Sequence, residues 1–339
     1  MLSLTCYFSK KDTERNSIIE DVRPVCEKVN AVLVEIAIDG DADLEKRFGG
    51  RTPVLQAGPY TLNYPFSMQD VEVVLSSAQQ RVERMTKNTD SDEAKRLLRG
   101  QSITRGDRFG LWFARNYVYV ILAILVIFAG LPVLAPVLEK TGHSGAANVI
   151  YTIYRPLCHQ FAFRSYFLFG EQAVYPRALA NVPGLLTYEQ VTGVSAFDIN
   201  FARNFIGNPV LGYKMAFCER DLAMYGSLAL FALLFQLTGR KMKQLPWYLW
   251  VIIAIIPIGL DGLTQLPSLL ANPISWLPFR ESTPFDRVFT GVLFGFFSGW
   301  FMFPLMEESV ALTRMALSRK FSVIKKIEES VRQKEQAAR

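Results

Sequence analysis

Polar residues that could carry chemistry interrupt the apolar part of the chain after residue 150 in four short clusters. The candidates for binding or for a polar network are Gln160, Arg164, Ser165, Cys218, Arg220, Tyr225, Gln265, Arg280, Glu281 and Arg287. The candidates for catalysis are Cys158, His159 and Asp261. Ionisable groups at the centre of a membrane helix cost about 2.5–3.5 kcal/mol each on insertion scales. We therefore expect Asp261 to be paired, with Arg164, Arg220 and Arg287 as its candidate partners.

Cys158, His159 and Cys218 suggest a metal site as one kind of chemistry. Thiolates and an imidazole are soft and borderline ligands that suit zinc, copper or iron. Asp261 or Glu219 would complete the ligand set. Adjacent cysteine and histidine are poorly spaced for two ligands on one ion, so the sequence leaves a metal cofactor undecided.

Thiol chemistry at the two cysteines is the second hypothesis. Cys158 and Cys218 would oxidise to a disulfide outside the cytoplasm, either as a structural staple or as a redox-active pair. A staple across this loop would contribute about 4 kcal/mol in the loop-entropy model. Nucleophilic or proton-transfer catalysis by Cys158 and His159 is a third reading. The alternative to these three hypotheses is a structural network of hydrogen-bonded polar side chains that stabilises the contacts between helices.

The composition assigns these clusters to an integral membrane protein. Hydrophobic residues make up 50% of the 339 residues and charged residues 20%, below the roughly 25% of soluble domains. A helix needs about 20 mostly apolar residues to cross a bilayer. Four stretches qualify, and they are residues 117–137, 221–238, 246–268 and 288–306. Residues 147–170 are also apolar but contain two arginines, and they form either a fifth span, an interfacial helix or a re-entrant element.

The distribution of basic residues predicts that both termini are cytoplasmic. Basic clusters precede the first span, separate the second from the third and follow the fourth, whereas residues 138–220 and 269–287 have no comparable cluster. The first thirty residues lack the pattern of a signal peptide. The net charge of +6 fits cytoplasmic loops that face anionic lipid. We therefore expect the lipid bilayer as a partner, and no nucleic acid.

Residues 1–85 have the alternating strand and helix pattern of an α/β domain. Their βαβ-ββα order resembles a thioredoxin-like, glutaredoxin-like domain, with Thr52-Pro53 where such domains keep a cis-proline. A redox member needs Cys-x-x-Cys at the start of the first helix, where the helix lowers the thiol pKa. That stretch is Ser9-Lys10-Lys11-Asp12-Thr13 here. We expect a degenerate, non-catalytic module that docks a cytoplasmic protein, with Cys6 and Cys26 buried in its core.

The predicted organisation has four parts. Residues 1–85 form the thioredoxin-like domain, residues 86–115 a polar and basic linker, residues 116–309 the membrane domain, and residues 310–339 a charged cytoplasmic helix. The membrane domain is expected to be an all-α bundle of about four transmembrane helices. Residues 170–217 show no pattern that assigns them a role.

The four polar clusters together resemble a family of prokaryotic membrane proteins of unknown function, domain of unknown function 2085. Its members carry Cys-His-Gln followed by Arg-Ser, Cys-x-Arg before a span, Asp-Gly-x-x-Gln within a span and Arg-Glu-Ser-Thr before the last span. Each element is present within residues 150–300. The resemblance implies the plasma membrane of a prokaryote and no specific activity. The chain departs from it by its long segment between Gly170 and Phe217 and by its α/β front domain.

Two functions remain open from the sequence. The first is binding or assembly through a polar site in the outer half of the bilayer. The alternative is a membrane-embedded redox or metal-dependent enzyme that uses Cys158, His159, Cys218 and Asp261.

Overall fold

The computed structural model describes residues 2–86, 102–269 and 276–337, and the chain divides into two compact units. One unit joins residues 1–116 with residues 308–339, and the other comprises residues 117–307. Most of the predicted linker, residues 87–101, lies outside the described residues. Its last part is helical, because the first long helix begins at Arg105 and not near residue 116.

A four-stranded sheet organises the front of the chain. Its strands are β1 (Ser3–Phe8), β2 (Val32–Ala37), β3 (Val54–Ala57) and β4 (Tyr60–Asn63), in the spatial order β2-β1-β3-β4. β1 is parallel to β2, whereas β3 is antiparallel to both β1 and β4. Parallel strands need a crossover, and α1 (Arg15–Lys28) supplies it. This region is therefore mixed α/β, as predicted, and its Thr52–Pro53 peptide bond is cis.

Two further helices complete this part, α2 (Ala42–Phe48) and α3 (Met68–Thr86). The sequence interpretation missed α2, which has only seven residues and begins at an Asp41 cap whose side chain accepts from two backbone N–H groups. α1 buries Ile18, Val22 and Val25 against the sheet, at the spacing of one helix face.

Cys6 and Cys26 lie in the same core, as predicted. Burial raises the pKa of Cys6 to about 12 and that of Cys26 to about 11. Both thiols are therefore protonated at neutral pH and unsuited to nucleophilic chemistry.

Seven helices follow along the described chain. They are α4 (Arg105–Lys140), α5 (Ser144–Tyr154), α6 (Tyr188–Thr192), α7 (Ile199–Asn204), α8 (Glu219–Leu237), α9 (Trp247–Leu269) and α10 (Pro284–Ala337). Four of them, α4, α8, α9 and α10, are long and apolar enough to cross a membrane, at the four predicted places. Large apolar side chains such as Ile127, Leu234 and Leu263 are exposed on these helices, as expected for surfaces that contact lipid.

α10 is one helix of 54 residues and not a span followed by a separate tail helix. Its later part belongs to the first unit, where Arg314 pairs with Asp43 at 2.6 Å and Lys320 pairs with Asp107 at 2.7 Å. The charged helix predicted from residue 310 is thus the continuation of the last span.

Glycines let α8 and α10 approach closely. A Cβ atom on Gly295 would lie 2.0 Å from the carbonyl oxygen of Met224, and one on Gly291 would lie 2.6 Å from that of Arg220. Small residues four apart allow this backbone contact between membrane helices. The contact fixes the start of α10 beside the start of α8, where several of the predicted polar residues lie.

The expectation of an all-α membrane domain is wrong in one respect. Three strands, β5 (Ser165–Leu168), β6 (Gly207–Asn208) and β7 (Gly212–Cys218), form an antiparallel sheet in the order β5-β7-β6. An aromatic core that includes Phe163, Phe167, Tyr175 and Tyr188 packs with it. β6 and nearly all of β7 lie in residues 170–217, to which the sequence assigned no role, whereas β5 lies in the apolar residues 147–170.

Residues 147–170 do not form a fifth span. α5 has 11 residues, and the chain then passes through a short 3-10 turn (Ala162–Arg164) into β5. A helix of that length is about half of what a bilayer requires.

Candidate functional site

Glu281 is the centre of a buried arginine cluster. Its Oε1 atom accepts hydrogen bonds from Arg164 Nε and Arg287 Nη2, both at 2.7 Å, and its Oε2 atom accepts one from Arg177 Nη1 at 3.0 Å. Arg287 also donates to Glu219 Oε2 through Nη1 at 3.0 Å. Burial alone would raise the pKa of Glu281, but the charges of Arg164, Arg287 and Arg177 outweigh it and hold that pKa below its ordinary value.

Asp261 of α9 is the second centre. It forms ion pairs with Arg220 of α8 and, at 2.6 Å, with Arg280 Nη2, and it accepts a hydrogen bond from the Ser282 hydroxyl. Of its three predicted partners, only Arg220 is paired with it. Arg164 and Arg287 bind Glu281 instead, because the residues just before α10 carry that second carboxylate toward them.

Ser282 joins the two centres. Its hydroxyl donates to Asp261, while its carbonyl oxygen accepts from Arg287 Nη2 at 2.6 Å. We use the term arginine cluster for the eight charged residues connected in this way. They are Arg164, Arg177, Arg220, Arg280, Arg287, Glu219, Asp261 and Glu281. The cluster joins the turn before β5 with the beginnings of α8 and α10 and the later half of α9.

Four other predicted residues have local roles. Gln160 donates to the Tyr151 carbonyl at 2.9 Å, and Ser165 donates to the Phe161 carbonyl at 2.9 Å. Gln265 donates to the Asp261 carbonyl one helical turn back, at 2.6 Å. The fourth, Tyr225, stacks its ring on Phe217 with centroids 5.6 Å apart.

Cys158, Cys218 and Asp221 form a second group, which we call the sulfur group. The two Sγ atoms and an Asp221 carboxylate oxygen all lie within 4.8 Å of one another. The structure has no bond between the two sulfurs, and a hydrogen bond with Cys158, followed by burial, raises the pKa of Cys218.

His159 does not belong to this group. Its ring packs on Phe161, with centroids 5.4 Å apart, and its carbonyl oxygen accepts from Arg203 Nε at 3.0 Å. Burial, followed by the charges of Arg203 and Arg164, lowers the pKa of His159. Of the predicted ligands Cys158, His159 and Cys218, the structure therefore brings the two cysteines together and places the histidine apart from them. Although Cys158 and His159 are adjacent in sequence, their side chains contact different neighbours.

Lys214 is a buried cation that the sequence interpretation missed. Its Nζ atom donates to the carbonyl oxygens of Gln160 and Arg203 at 2.8 and 2.7 Å. Burial lowers its pKa to about 7. The available signal was a single lysine within the apolar strand β7.

Arg177, Asp221 and Ser282 were also missed as site members. Arg177 lies in the segment that had no recognised pattern, and it is held by residues distant in sequence. Ser282 belongs to the Arg-Glu-Ser-Thr motif and Asp221 directly follows the Cys-x-Arg motif, so their place in the motifs was the signal that could have found them.

Comparisons with known proteins agree with a membrane protein. Residues 200–301 match the family described as "Predicted membrane protein (DUF2085)". An uncharacterized protein of Methanocaldococcus jannaschii is 24% identical over 205 residues, which cover 58% of this chain and 96% of the relative. No solved structure matches the chain. The family match includes α8, α9, the residues just before α10 and the start of α10, which together carry Arg220, Asp261, Glu281 and Arg287 of the arginine cluster.

Proposed function

We propose that this membrane protein binds an anionic ligand, one that carries a phosphate or carboxylate group, at its arginine cluster. The observation that supports this is a charge imbalance: five arginines share three carboxylates. Charges buried in a protein of low dielectric are normally balanced by partners. An anion would supply the missing negative charge.

Three of the five arginines of the arginine cluster are exposed enough for an anion to reach them. The side chains of Arg164, Arg220 and Arg280 are 16%, 20% and 42% exposed, whereas those of Arg177 and Arg287 are 2% and 1% exposed. The Nε atoms of Arg220 and Arg280 are buried and have no hydrogen-bond partner within the described chain. Guanidinium groups bind phosphate and carboxylate through paired N–H donors.

Arg280 offers the sharpest test because it is the most exposed member. We expect Arg280→Gln to weaken binding of inorganic phosphate or of phosphatidylglycerol by about tenfold or more, since a hydrogen bond to a charged group contributes about 1.5–3 kcal/mol. Binding is measured on the full chain in neutral detergent by calorimetry, for phosphate alone and for mixed micelles of the lipid. The two arms distinguish a soluble anion from a lipid headgroup.

Arg155→Gln is the matched control. Arg155 directly follows α5 and precedes Arg164 of the arginine cluster in the chain. Its Nη2 atom donates to Asn204, and it is not part of the arginine cluster. Equal affinities for both variants and wild type would overturn the anion-binding proposal. In that case the cluster would serve folding or assembly alone.

A membrane-embedded redox or metal-dependent enzyme is the second candidate function. The proximity of Cys158, Cys218 and Asp221 favours it. Asp261 is less suited to catalysis, because Arg220, Arg280 and Ser282 already occupy its carboxylate. His159, packed on Phe161, would act on a substrate only from a position separate from the sulfur group.

For the front domain, we infer a thioredoxin-like fold without redox activity and with a docking role toward a cytoplasmic protein. The strand order β2-β1-β3-β4, with a parallel β1–β2 pair, supports this inference. The start of α1 carries no thiol, and the side chain of Asp12 there accepts from the backbone of Ser9 at 2.7 Å. Reduction of insulin disulfides by the full chain with both Cys158 and Cys218 replaced by serine would contradict the absence of redox activity in the front domain.

We infer location in the plasma membrane of a prokaryote, with both termini cytoplasmic. The short connection between α8 and α9 carries Arg240, Lys241 and Lys243, and it lies on the same side as the start of α4 if the four helices cross alternately. Alkaline phosphatase fused after Lys243 should be inactive in intact cells, whereas a fusion after Glu171 should be active. The reverse result would invert the orientation.

A further inference from the structure

The sulfur group lies at the beginning of α8 and is chemically distinct from the arginine cluster. It offers two sulfurs and one carboxylate oxygen within 4.8 Å of one another. In a tetrahedral zinc site the metal lies about 2.3 Å from sulfur and about 2.0–2.2 Å from oxygen, so its ligands are somewhat less than 4 Å apart. Small side-chain rotations would therefore bring the three atoms to one ion.

Backbone N–H groups are already directed at both sulfurs. Cys218 N donates to Cys158 Sγ at 3.3 Å, and Asp221 N donates to Cys218 Sγ at 3.4 Å. Such hydrogen bonds and the positive end of the α8 dipole favour negative charge on sulfur, and they oppose the hydrogen bond with Cys158 and the burial that raise the pKa of Cys218. The thiolate is the form of cysteine that binds metals.

The fold determines where each ligand lies. Cys218 ends β7, where it pairs with Ser165 of β5, and it is also the N-cap of α8. Asp221 is the third residue of α8, on the turn that faces this cap. Cys158 follows α5 and is buried among apolar side chains that include Tyr154 and Phe217.

We propose that Cys158, Cys218 and Asp221 bind a divalent metal ion of the zinc class, with a fourth position open to water or to a ligand. Two sulfur ligands favour zinc, cobalt or cadmium over magnesium and calcium, which prefer oxygen. Three protein ligands leave the fourth tetrahedral position open, as in catalytic rather than structural zinc sites. Cys218 and Asp221 are half-buried, so that position is accessible from outside the core.

Cobalt(II) titration of the full chain tests this site. The protein is purified in detergent under anaerobic, reducing conditions, freed of metal and titrated with Co²⁺. We expect one equivalent to produce the near-ultraviolet sulfur-to-cobalt band and the strong visible absorption of a tetrahedral site, both abolished by Zn²⁺. Folded wild-type protein that gives neither band would overturn the proposal.

Ligand variants identify the residues. Cys158→Ser, Cys218→Ser and Asp221→Asn should each weaken Co²⁺ binding by at least tenfold. Cys26→Ser is the thiol control, because Cys26 lies buried in α1, and Asp286→Asn is the carboxylate control, because Asp286 has the same capping position at the start of α10. Both controls should bind Co²⁺ like wild type. Circular dichroism of the metal-free variants verifies that each is folded.

The thiol state in intact cells provides an independent readout. Differential alkylation followed by peptide mass spectrometry should find Cys158 and Cys218 as thiols that become more reactive after treatment with a chelator. A disulfide between them would exclude a metal bound by both thiolates and overturn the proposal. Neither measurement depends on anion binding at the arginine cluster, so the two proposals fail separately.

Discussion

Arg220 and Asp261 form an ion pair that joins the first turn of α8 to the later half of α9. Both side chains are largely removed from solvent, at 20% and 6% exposure. A buried ion pair contributes little net stability compared with apolar residues, but removing one partner leaves an uncompensated charge and costs about 3–5 kcal/mol. The pair therefore makes the helix arrangement dependent on both residues together.

A double-mutant cycle measures that dependence. We expect Arg220→Gln and Asp261→Asn each to lower the free energy of unfolding in detergent, and the double variant to lose less than the sum of the two. Residues in contact show coupling energies of about 0.5–3 kcal/mol. Some cost should persist in the double variant, because Arg280 also loses its partner. Additive effects of the two substitutions would mean that the pair is not formed.

Removing the charge of Glu281 should be among the most destabilising single changes within residues 117–307. Glu281→Gln would leave Arg164, Arg177 and Arg287 with less negative charge, at a cost of about 3–5 kcal/mol. The melting temperature of the detergent-solubilised protein is the measurement. Glu171→Gln, at an exposed position, is the control and should melt like wild type. Similar melting of both variants would rule out a stabilising role for Glu281.

Two glycines of the α8–α10 pair should respond oppositely to alanine. Gly295→Ala places a methyl group against Met224 and Ser227, so it should separate the helices and lower the melting temperature. Gly226→Ala meets no neighbouring atom within 4 Å and adds helix propensity. It should therefore leave the melting temperature unchanged or raise it slightly. A tolerated Gly295→Ala would show that the helices pack less closely.

The buried thiols of the front domain predict a dependence of stability on pH. The pKa values of Cys6 and Cys26, about 12 and 11, exceed the ordinary value of 9.0, so above pH 9 the folded state retains protons that the unfolded chain releases. Stability should consequently fall as pH rises from about 9 to 11. Cys26→Ala should make that fall less steep than in wild type. The measurement is the free energy of unfolding between pH 8 and 10.5, and parallel curves would contradict the shift.

Alkylation offers a direct check on the same thiols. At pH 8, iodoacetamide should leave Cys6 and Cys26 unmodified in the folded full chain, and it should modify both after denaturation. Peptide mass spectrometry distinguishes them from Cys158 and Cys218. Rapid labelling of Cys6 or Cys26 in the folded protein would indicate a reactive thiol.

The sequence by itself determined the features that depend on local patterns. Runs of apolar residues located the four candidate membrane-spanning helices of the described chain, because the length of a span follows from the thickness of the bilayer. Alternation of strands and helices located the α/β front, and the absence of thiols at the start of α1 was visible directly. The same analysis missed the small sheet β5-β7-β6, because its strands are short, β6 and β7 lie in a segment without clear periodicity, and β5 lies in a stretch interpreted as apolar.

Only the tertiary structure decided which charged groups meet. Arg164 and Glu281 are 117 residues apart, and Arg177 and Glu281 are 104 apart, so no spacing rule connects them. Asp261 pairs with Arg280 and not with Arg164 or Arg287, because the segment before α10 places both Arg280 and Glu281 in the arginine cluster. Likewise, Asp221 and not His159 lies beside the two sulfurs, because Cys218 is the N-cap of α8 and Asp221 is in the first turn of that helix. Such pairings depend on the close approach of helices and strands, which a linear pattern of residues does not specify.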